Sequence, residues 1–483
     1  MSTLSSPNPL AKVFPRERVV WELDEPRRVH LVGIGGPGMS AIAIALAEMG
    51  HIVSGSDIRE RQILDRLRAS GVEVHIGHNR QHVHDADVVT YSTAIPSDIN
   101  ELDEARKRGI PTVHRSEVLG ALCRQTNAYG VAGTHGKTTT SSMLMLILAA
   151  AGREPGFVIG GDVADVGTGA RWSDSGSFVV EADESDGTHL RLPLGGTVLT
   201  NIDVDHLDNY GTFDAIVEGF ERYVDAVDGP VVIGVDCDVA ARLVATRDVV
   251  SFGVAKGADY RVVDIQPQRT GNTFAVERRG EVIARVDLPL RGLHNVLNAT
   301  GALALAVELG VAPEVAAESL GTFGGVARRF DVRGIVDGAT LVDDYAHLPA
   351  EIEAVLASTR ESAADWSRVV AVFQPNRFNR MSEISDQYAT SFRDADVVVI
   401  TDIYSSGTQP IPGVTGKLVV NAVLEAQPHA RVVWMPKRDA LIKFLASELR
   451  SGDLCLSMGC GDIATLPDEL LMARGVREES VVQ

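Results

Sequence analysis

Three observations predict an α/β protein of three domains built on parallel sheets. The chain has 483 residues, about three ordinary domains' worth. Short apolar runs alternate with stretches of helical period, in one series near the N-terminus and another near the C-terminus. Two glycine-rich turns, at 33–38 and 133–136, each stand between an apolar run and a helix-forming segment. Strands separated by helices imply parallel sheets with helices on both faces.

Residues up to Arg28 are polar and proline-containing, and predict a loose arm. Val29–Gly33 then reads as a buried strand and Ser40–Met49 as a helix stopped by Gly50. His51–Gly55, Val72–Ile76, Ala86–Ser92 and Ile110–His114 read as further strands, with helices at Ile63–Ser70 and Glu101–Arg108. This predicts a Rossmann-like domain over 1–118. A second domain, 119–327, opens with a turn at Asn127–Gly130, the loop Val131–Thr140 and an apolar helix at Ser141–Ala151. Strands follow at Phe178–Glu181, Thr197–Asn201, Val231–Val235 and Val249–Phe252, with an amphipathic helix at Phe213–Val224. Tyr260–Leu290 alternates apolar and polar residues around Thr270-Gly271-Asn272, as a hairpin does. Helices at Asn295–Leu309 and Pro313–Leu320 end this part, which reads as P-loop ATPase-like. In 328–483, strands at Leu341–Asp343, Val369–Phe373, Val397–Thr401, Val432–Met435 and Leu454–Met458 predict a second Rossmann-like sheet without a phosphate loop. Helices at Ala350–Thr359 and Asp439–Leu449 lie between its strands.

The composition narrows the function. Hydrophobic residues make up 45% and charged residues 23%, values of a globular protein. The net charge is −20 and no basic run occurs, which argues against a nucleic-acid partner. A polyanionic substrate must therefore be held by a few local cations and N–H groups. The four cysteines (Cys123, Cys237, Cys455, Cys460) form no C-x-x-C pair and read as reduced thiols. Neither an apolar leader nor a long apolar run is present, so a soluble, cytoplasmic protein without membrane insertion is expected.

Six clusters carry chemistry. In Val131–Thr140, Gly133, Thr134, His135 and Gly136 leave backbone N–H groups open to phosphate, and the following helix adds its positive end. Lys137 reaches β/γ oxygens there, Thr138 is placed for Mg²⁺, and Val131 stands where the strict pattern has its first glycine. Gly33-Ile34-Gly35-Gly36-Pro37-Gly38 satisfies G-x-G-x-x-G, with Asp57 ending the next strand. Alone it suggests a nicotinamide dehydrogenase, though any pyrophosphate suits the same loop. Val180–Asp186 sets carboxylates at a strand end, Glu181 being the better metal ligand because it continues the strand. Thr200–Asp208 places His206 among acids, where a neutral imidazole suits a second divalent ion. His294, Asn295 and Asn298 open a helix, the two amides three apart and suited to an adenine edge, with N-capping by Asn295 as the alternative. Lastly Arg328-Arg329-Phe330, Asp343–His347 and Gln374–Arg380 gather arginines suited to a carboxylate.

Gly-Thr-His-Gly-Lys-Thr-Thr, Glu-Ala-Asp-Glu-Ser-Asp, His-Asn-x-x-Asn, Arg-Arg-Phe and Asp-Asp-Tyr, in this order, resemble the Mur ligases of peptidoglycan synthesis over essentially the whole chain. The family's loop also lacks that first glycine. The resemblance implies an ATP-dependent ligase with UDP-sugar, ATP and amino-acid domains, acting through an acyl phosphate. Gly33–Ser40 points within the family to the addition of L-alanine to UDP-N-acetylmuramate. It implies UDP-sugar contacts at Gly35, Gly36, Gly38, Met39, Ser40, Asp57, Ser92 and Thr93. For ATP it implies Gly133 to Thr139 (Thr139 included), His294, Asn295, Asn298, Arg329 and Asp344, the last on the ribose. Lys137, Glu181, His206 and Arg329 are implied as catalytic, and Thr138, Glu181 and His206 as holding Mg²⁺. Tyr345, His347, Arg377 and Arg380 would orient alanine. Two departures fall near them: Ala346 and Leu348 interrupt the family's Asp-Asp-Tyr-Gly-His-His-Pro, and Asn376 replaces the histidine of Phe-Gln-Pro-His-Arg. They leave selectivity for L-alanine over glycine or serine open, as the sequence leaves oligomeric state open between monomer and weak dimer. The rivals are a ligase that recycles a whole tripeptide, which Arg115-Ser116-Glu117 and the arginines disfavour, the dehydrogenase, and a regulatory P-loop ATPase.

Overall fold

The structure, a computed structural model, describes residues 21–268, 270–361 and 366–474. The proposed N-terminal arm lies, up to residue 20, outside the described residues. The chain forms two compact units. The first runs through Ile265 and adds Phe274–Leu288 and Leu297–Gly324; the second takes Gln266–Thr273, Pro289–Val296 and the chain from Gly325.

The first unit holds two sheets. In one, β1 (Arg28–Val32), β2 (Ile52–Asp57), β3 (Glu73–Ile76), β4 (Val88–Tyr91) and β5 (Thr112–His114) lie in the order β3-β2-β1-β4-β5. All its pairings are parallel. The order reverses beside β1, where a doubly wound sheet opens a crevice for a ligand. The helix Pro37–Glu48 begins with proline at a position that needs no N–H, and most of its side chains are buried.

The other sheet has ten strands in the order β15-β14-β13-β12-β11-β10-β6-β9-β7-β8. They are β6 (Asn127–Ala132), β7 (Gly156–Val163), β8 (Thr168–Arg171), β9 (Ser177–Glu181), β10 (Gly196–Leu199), β11 (Val231–Gly234), β12 (Val250–Gly253), β13 (Tyr260–Pro267), β14 (Asn272–Arg278) and β15 (Glu281–Leu288). Asn127–Gly130, expected as a turn, is instead the start of β6, paired in parallel with β9 and β10. Its glycine marks close packing: a Cβ on Gly130 would lie 2.5 Å from Leu194 and 2.7 Å from the Tyr223 hydroxyl. The alternating stretch from Tyr260 forms three strands rather than one hairpin, the second turn falling at Arg279-Gly280. The antiparallel edge pair β7–β8 was not anticipated. Nor was the helix Arg115–Arg124, which crosses the expected division at 118/119 with Val118, Leu119, Leu122 and Cys123 buried.

The second unit carries β16 (Asp331–Val336), β17 (Ala339–Asp344), β18 (Arg368–Phe373), β19 (Val397–Ile400), β20 (Val432–Trp434) and β21 (Asp453–Met458), ordered β16-β17-β21-β18-β19-β20. Only β16 runs antiparallel to its neighbour, as an unanticipated edge strand; the other pairings are parallel. Apolar side chains cover both faces of this sheet in two clusters. Among the described residues no helix is long and apolar enough to cross a membrane, and all four cysteines are free.

Candidate active site

The phosphate loop joins β6 to the helix Lys137–Ala150 at the carboxyl edge of the ten-stranded sheet. Gly136 is the residue before the helix, with φ of 82°, a conformation L side chains rarely adopt. A Cβ there would also lie 2.3 Å from Asn298 Oδ1, so Asn298 stands against the loop itself. Asn295 instead donates from its amide to the Arg291 carbonyl (2.8 Å). The Thr200–Asp208 segment anchors the loop. Asn201 accepts from His135 N–H (2.9 Å) and donates to the His135 carbonyl (3.1 Å), and Asp203 pairs with the His135 ring (3.0 Å).

Lys137 donates to Glu184 (2.9 Å) and to the carbonyls of Gly133 (2.6 Å) and Thr134 (3.2 Å). Burial opposes its charge, but Glu184, Asp183 and Glu181 outweigh that and hold its pKa above the ordinary lysine value. Burial raises the Glu184 carboxyl, and Lys137 and His206 only partly offset it. Glu184 is thus the immediate partner of the catalytic lysine candidate. The acidic run showed in the sequence; which of its members meets the lysine did not. His206, at φ 55°, leads into the short helix Leu207–Tyr210, with Nε2 3.1 Å from Asp205 and 3.8 Å from Glu184.

The Thr138 hydroxyl donates to Glu181 Oε2 (3.0 Å), which also accepts from Gly160 N–H (2.8 Å). A hydroxyl beside a carboxylate at a phosphate loop fits Mg²⁺, which takes few protein ligands and completes its shell with phosphate oxygens and water. His206 Nδ1 is buried without a hydrogen-bond partner among the described residues. No group of three or more His, Cys, Asp or Glu side chains there is arranged as a ready ion cage.

The other glycine loop follows β1. Gly33 and Ile34 donate to the Ser56 carbonyl (2.8 and 3.0 Å), and Gly35 N–H donates to Asp57 Oδ2 (3.0 Å). Asp57 also accepts from Arg59 N–H (3.3 Å), so its carboxylate fastens backbone rather than standing open to a nicotinamide ribose. The first bond inside the following helix runs from Ser40 N–H to the Gly36 carbonyl (2.8 Å), so Gly38 and Met39 lead the helix. Ser92 and Thr93 follow β4, the neighbour of β1.

In the second unit, Arg328 pairs with Asp343 (3.0 Å) and donates to the Gly459 carbonyl (2.7 Å). The Arg328 and Arg329 guanidinium carbons stand 5.0 and 5.1 Å from the Tyr345 ring centre. Burial drives the Asp344 carboxyl up to about 6, against Arg329 and the amides of Ala346 and Phe330 that it accepts from. Burial and then Arg329 lower His294 to about 4, so its ring is neutral near pH 7. The His347 ring donates from Nδ1 to the Tyr345 carbonyl (3.1 Å) and meets the Tyr345 ring edge-on. Arg377, at φ 60°, precedes the helix Phe378–Ile384, and Arg380 Nη1 donates to Asn376 Oδ1 (2.9 Å). Ala346 and Leu348, the first departure, point into the apolar core with Ile352, Phe373 and Tyr388; Asn376, the second, hydrogen-bonds the candidate amino-acid residue Arg380.

A phosphate loop with a carboxylate-held lysine, a hydroxyl–carboxylate pair and a separate glycine loop, on α/β sheets, fit an ATP-dependent phosphoryl-transfer enzyme. Residues 28–127 match the family described as "Mur ligase family, catalytic domain", 131–306 the "Mur ligase middle domain" and 328–461 the "Mur ligase, glutamate ligase domain". The chain belongs to the Mur ligase family. It is similar to a UDP-N-acetylmuramate–L-alanine ligase of Anaeromyxobacter sp. (strain Fw109-5), 42% identical over 92% of this chain and 97% of that one. Among solved structures it is similar to the UDP-N-acetylmuramate–alanine ligase MurC of Thermotoga maritima, with TM-score 0.80, 29% identity and coverage of 92% and 99%. It is also similar to a murein peptide ligase of Psychrobacter arcticus, with TM-score 0.69, 26% identity and coverage of 94% and 100%.

Proposed function

We propose that this chain joins L-alanine to the lactyl carboxylate of UDP-N-acetylmuramate with the hydrolysis of ATP to ADP and phosphate. The observation that carries this reading is the 42% identity, over 92% of this chain, with a ligase of that name, above the 26% identity with the peptide ligase. In this reading 1–118 binds the UDP-sugar, 119–327 ATP and 328–483 the amino acid. The lactyl carboxylate attacks the γ-phosphorus, ADP leaves, and an acyl phosphate forms. The alanine amine then attacks the acyl carbon, and phosphate leaves as the amide forms.

Phosphoryl transfer needs positioning and charge neutralisation above all. Gly133 to Thr139 would cradle the phosphates, and Lys137 would exchange its Glu184 and carbonyl partners for β/γ oxygens. Thr138 and Glu181 would hold Mg²⁺, with His206 near a second ion; the metal would neutralise phosphate charge when bound. Arg329 would add positive charge, and Arg377 and Arg380 would take the carboxylate of alanine while Tyr345 and His347 orient it. The setting is a cytoplasmic, soluble enzyme with small-molecule partners only.

The test is release of ADP and phosphate, expected only when UDP-N-acetylmuramate and L-alanine are both present. Strong ATPase activity without either overturns the reading. Faster turnover with the tripeptide than with L-alanine would assign the recycling reaction, and tight NADH binding would contradict the UDP-sugar site.

A further inference from the structure

Arg115 belongs to no motif that the reaction above uses, yet it stands between the Gly33–Gly38 loop and the Asp183–Asp186 segment that carries Glu184. It is the first residue of the helix Arg115–Arg124, directly after β5. Its Nε donates to Asp186 (2.8 Å) and its Nη2 to Asp183 (2.6 Å). Those residues flank Glu184, the partner of Lys137. The remaining nitrogen, Nη1, makes no hydrogen bond among the described residues and faces Gly38: a Cβ built there would lie 2.5 Å from it. Asp186 is 1% exposed and accepts at Oδ1 from the Thr188 N–H (3.1 Å) and hydroxyl (2.6 Å); without Arg115 its buried Oδ2 would lose its cation and keep His114 3.6 Å away. The guanidinium is a rigid fork of five donors, and a lysine ammonium cannot span three partners in this way.

We propose that Arg115 binds and positions the UDP-sugar, its Nη1 donating to an oxyanion of the substrate seated on Gly35–Gly38 while Nε and Nη2 hold the Asp183–Asp186 loop. The inference rests on the UDP-sugar reading of that loop. It makes sugar occupancy a condition for the geometry of Glu184 and Lys137, because one planar group serves both loops. Two oxyanions of the substrate have the required chemistry, the diphosphate and the lactyl carboxylate.

The experiment compares the wild-type chain with Arg115→Lys and Gly38→Ala. It measures affinity for uridine, UDP and UDP-N-acetylmuramate, and KM for ATP with and without the sugar. Losing a charge-assisted hydrogen bond is expected to weaken sugar binding roughly ten- to a hundredfold in Arg115→Lys. Uridine affinity should hold, and the ATP KM should no longer respond to the sugar. An equal loss for UDP and UDP-N-acetylmuramate identifies the diphosphate; a loss confined to UDP-N-acetylmuramate identifies the carboxylate. Gly38→Ala keeps the charge but places a methyl where Nη1 lies, and should give the same pattern, so a poorly folded Arg115→Lys does not remove the test. Unchanged sugar affinity in a folded variant, or an equal loss for uridine, overturns the proposal. A wild-type chain that binds no UDP-sugar instead overturns the reading on which it rests.

Discussion

Replacing Glu101 by glutamine removes the one carboxylate at the centre of a buried histidine cluster beside β1 and β2. Glu101 and His30 have no exposed surface; His82 and His78 each reach the carboxylate at 2.7 Å, His30 lies at 3.6 Å, and Ser56 donates at 2.8 Å. Burial pushes the Glu101 carboxyl up, but the nearby His30 ring and the hydrogen bonds to His82 and Ser56 outweigh it and bring the pKa to about 2. A fall from the ordinary 4.5 to about 2 corresponds to about 3.5 kcal/mol at roughly 1.4 kcal/mol per pH unit. Because the folded pKa is depressed, that stability is present above pH 4.5 and is lost as pH falls toward 2. Hydrogen exchange of the amides in Arg28–Val32 and Ile52–Asp57, read by mass spectrometry, reports it locally. At pH 7, Glu101→Gln should exchange up to about three-hundredfold faster there, about 3.5 kcal/mol converted at tenfold per 1.4 kcal/mol. The gap from wild type should narrow progressively below pH 4.5. Equal protection in both proteins at pH 7, or a constant gap across the acid range, refutes the reasoning.

Three further outcomes follow from the site. Glu181→Gln weakens the partner of Thr138, so half-maximal activity should need roughly tenfold more Mg²⁺, read by titration at saturating ATP; an unchanged midpoint contradicts the assignment. Asn376→Ala releases Arg380 Nη1 and should raise the KM for L-alanine about tenfold, with the KM for UDP-N-acetylmuramate unchanged; steady-state kinetics in each substrate decide it. Leu348→His inserts a polar ring into an apolar core and should cost about 2–4 kcal/mol of stability, seen as a lower Tm. An altered preference among alanine, glycine and serine at unchanged Tm would show that Leu348 faces the substrate instead.

The short-range features of the fold were legible before the structure. Periodicity placed β18 and β19 because parallel strands buried on both faces are uninterrupted apolar runs. The elements that escaped are edge or mixed in character. β8 (Thr-Gly-Ala-Arg) and β16 (Asp-Val-Arg-Gly-Ile-Val) face solvent on part of their surface, so no apolar run marks them. Asn127–Gly130 carried turn-forming residues, and only the approach of Leu194 and Tyr223 shows why a glycine sits inside a central strand.

The sequence by itself determined the class of chemistry: a glycine loop ending in Lys137 and Thr138, acids at a strand end, and the arginine pairs near the third sheet. Those signals are local, since a phosphate loop needs its glycines, lysine and hydroxyl within a few residues of one helix start. Pairing across the chain was left to the tertiary structure. Glu184 rather than a neighbouring acid meets Lys137, and Asp57 turns onto Gly35. Ala346 and Leu348 turn into the core, while Asn376 holds Arg380. Arg115, 68 and 71 residues before its two aspartate partners, acquires its place between two loops only when the sheets bring their carboxyl edges together. A residue's type states which bonds it can form; the packing of distant strands decides which partner is within reach.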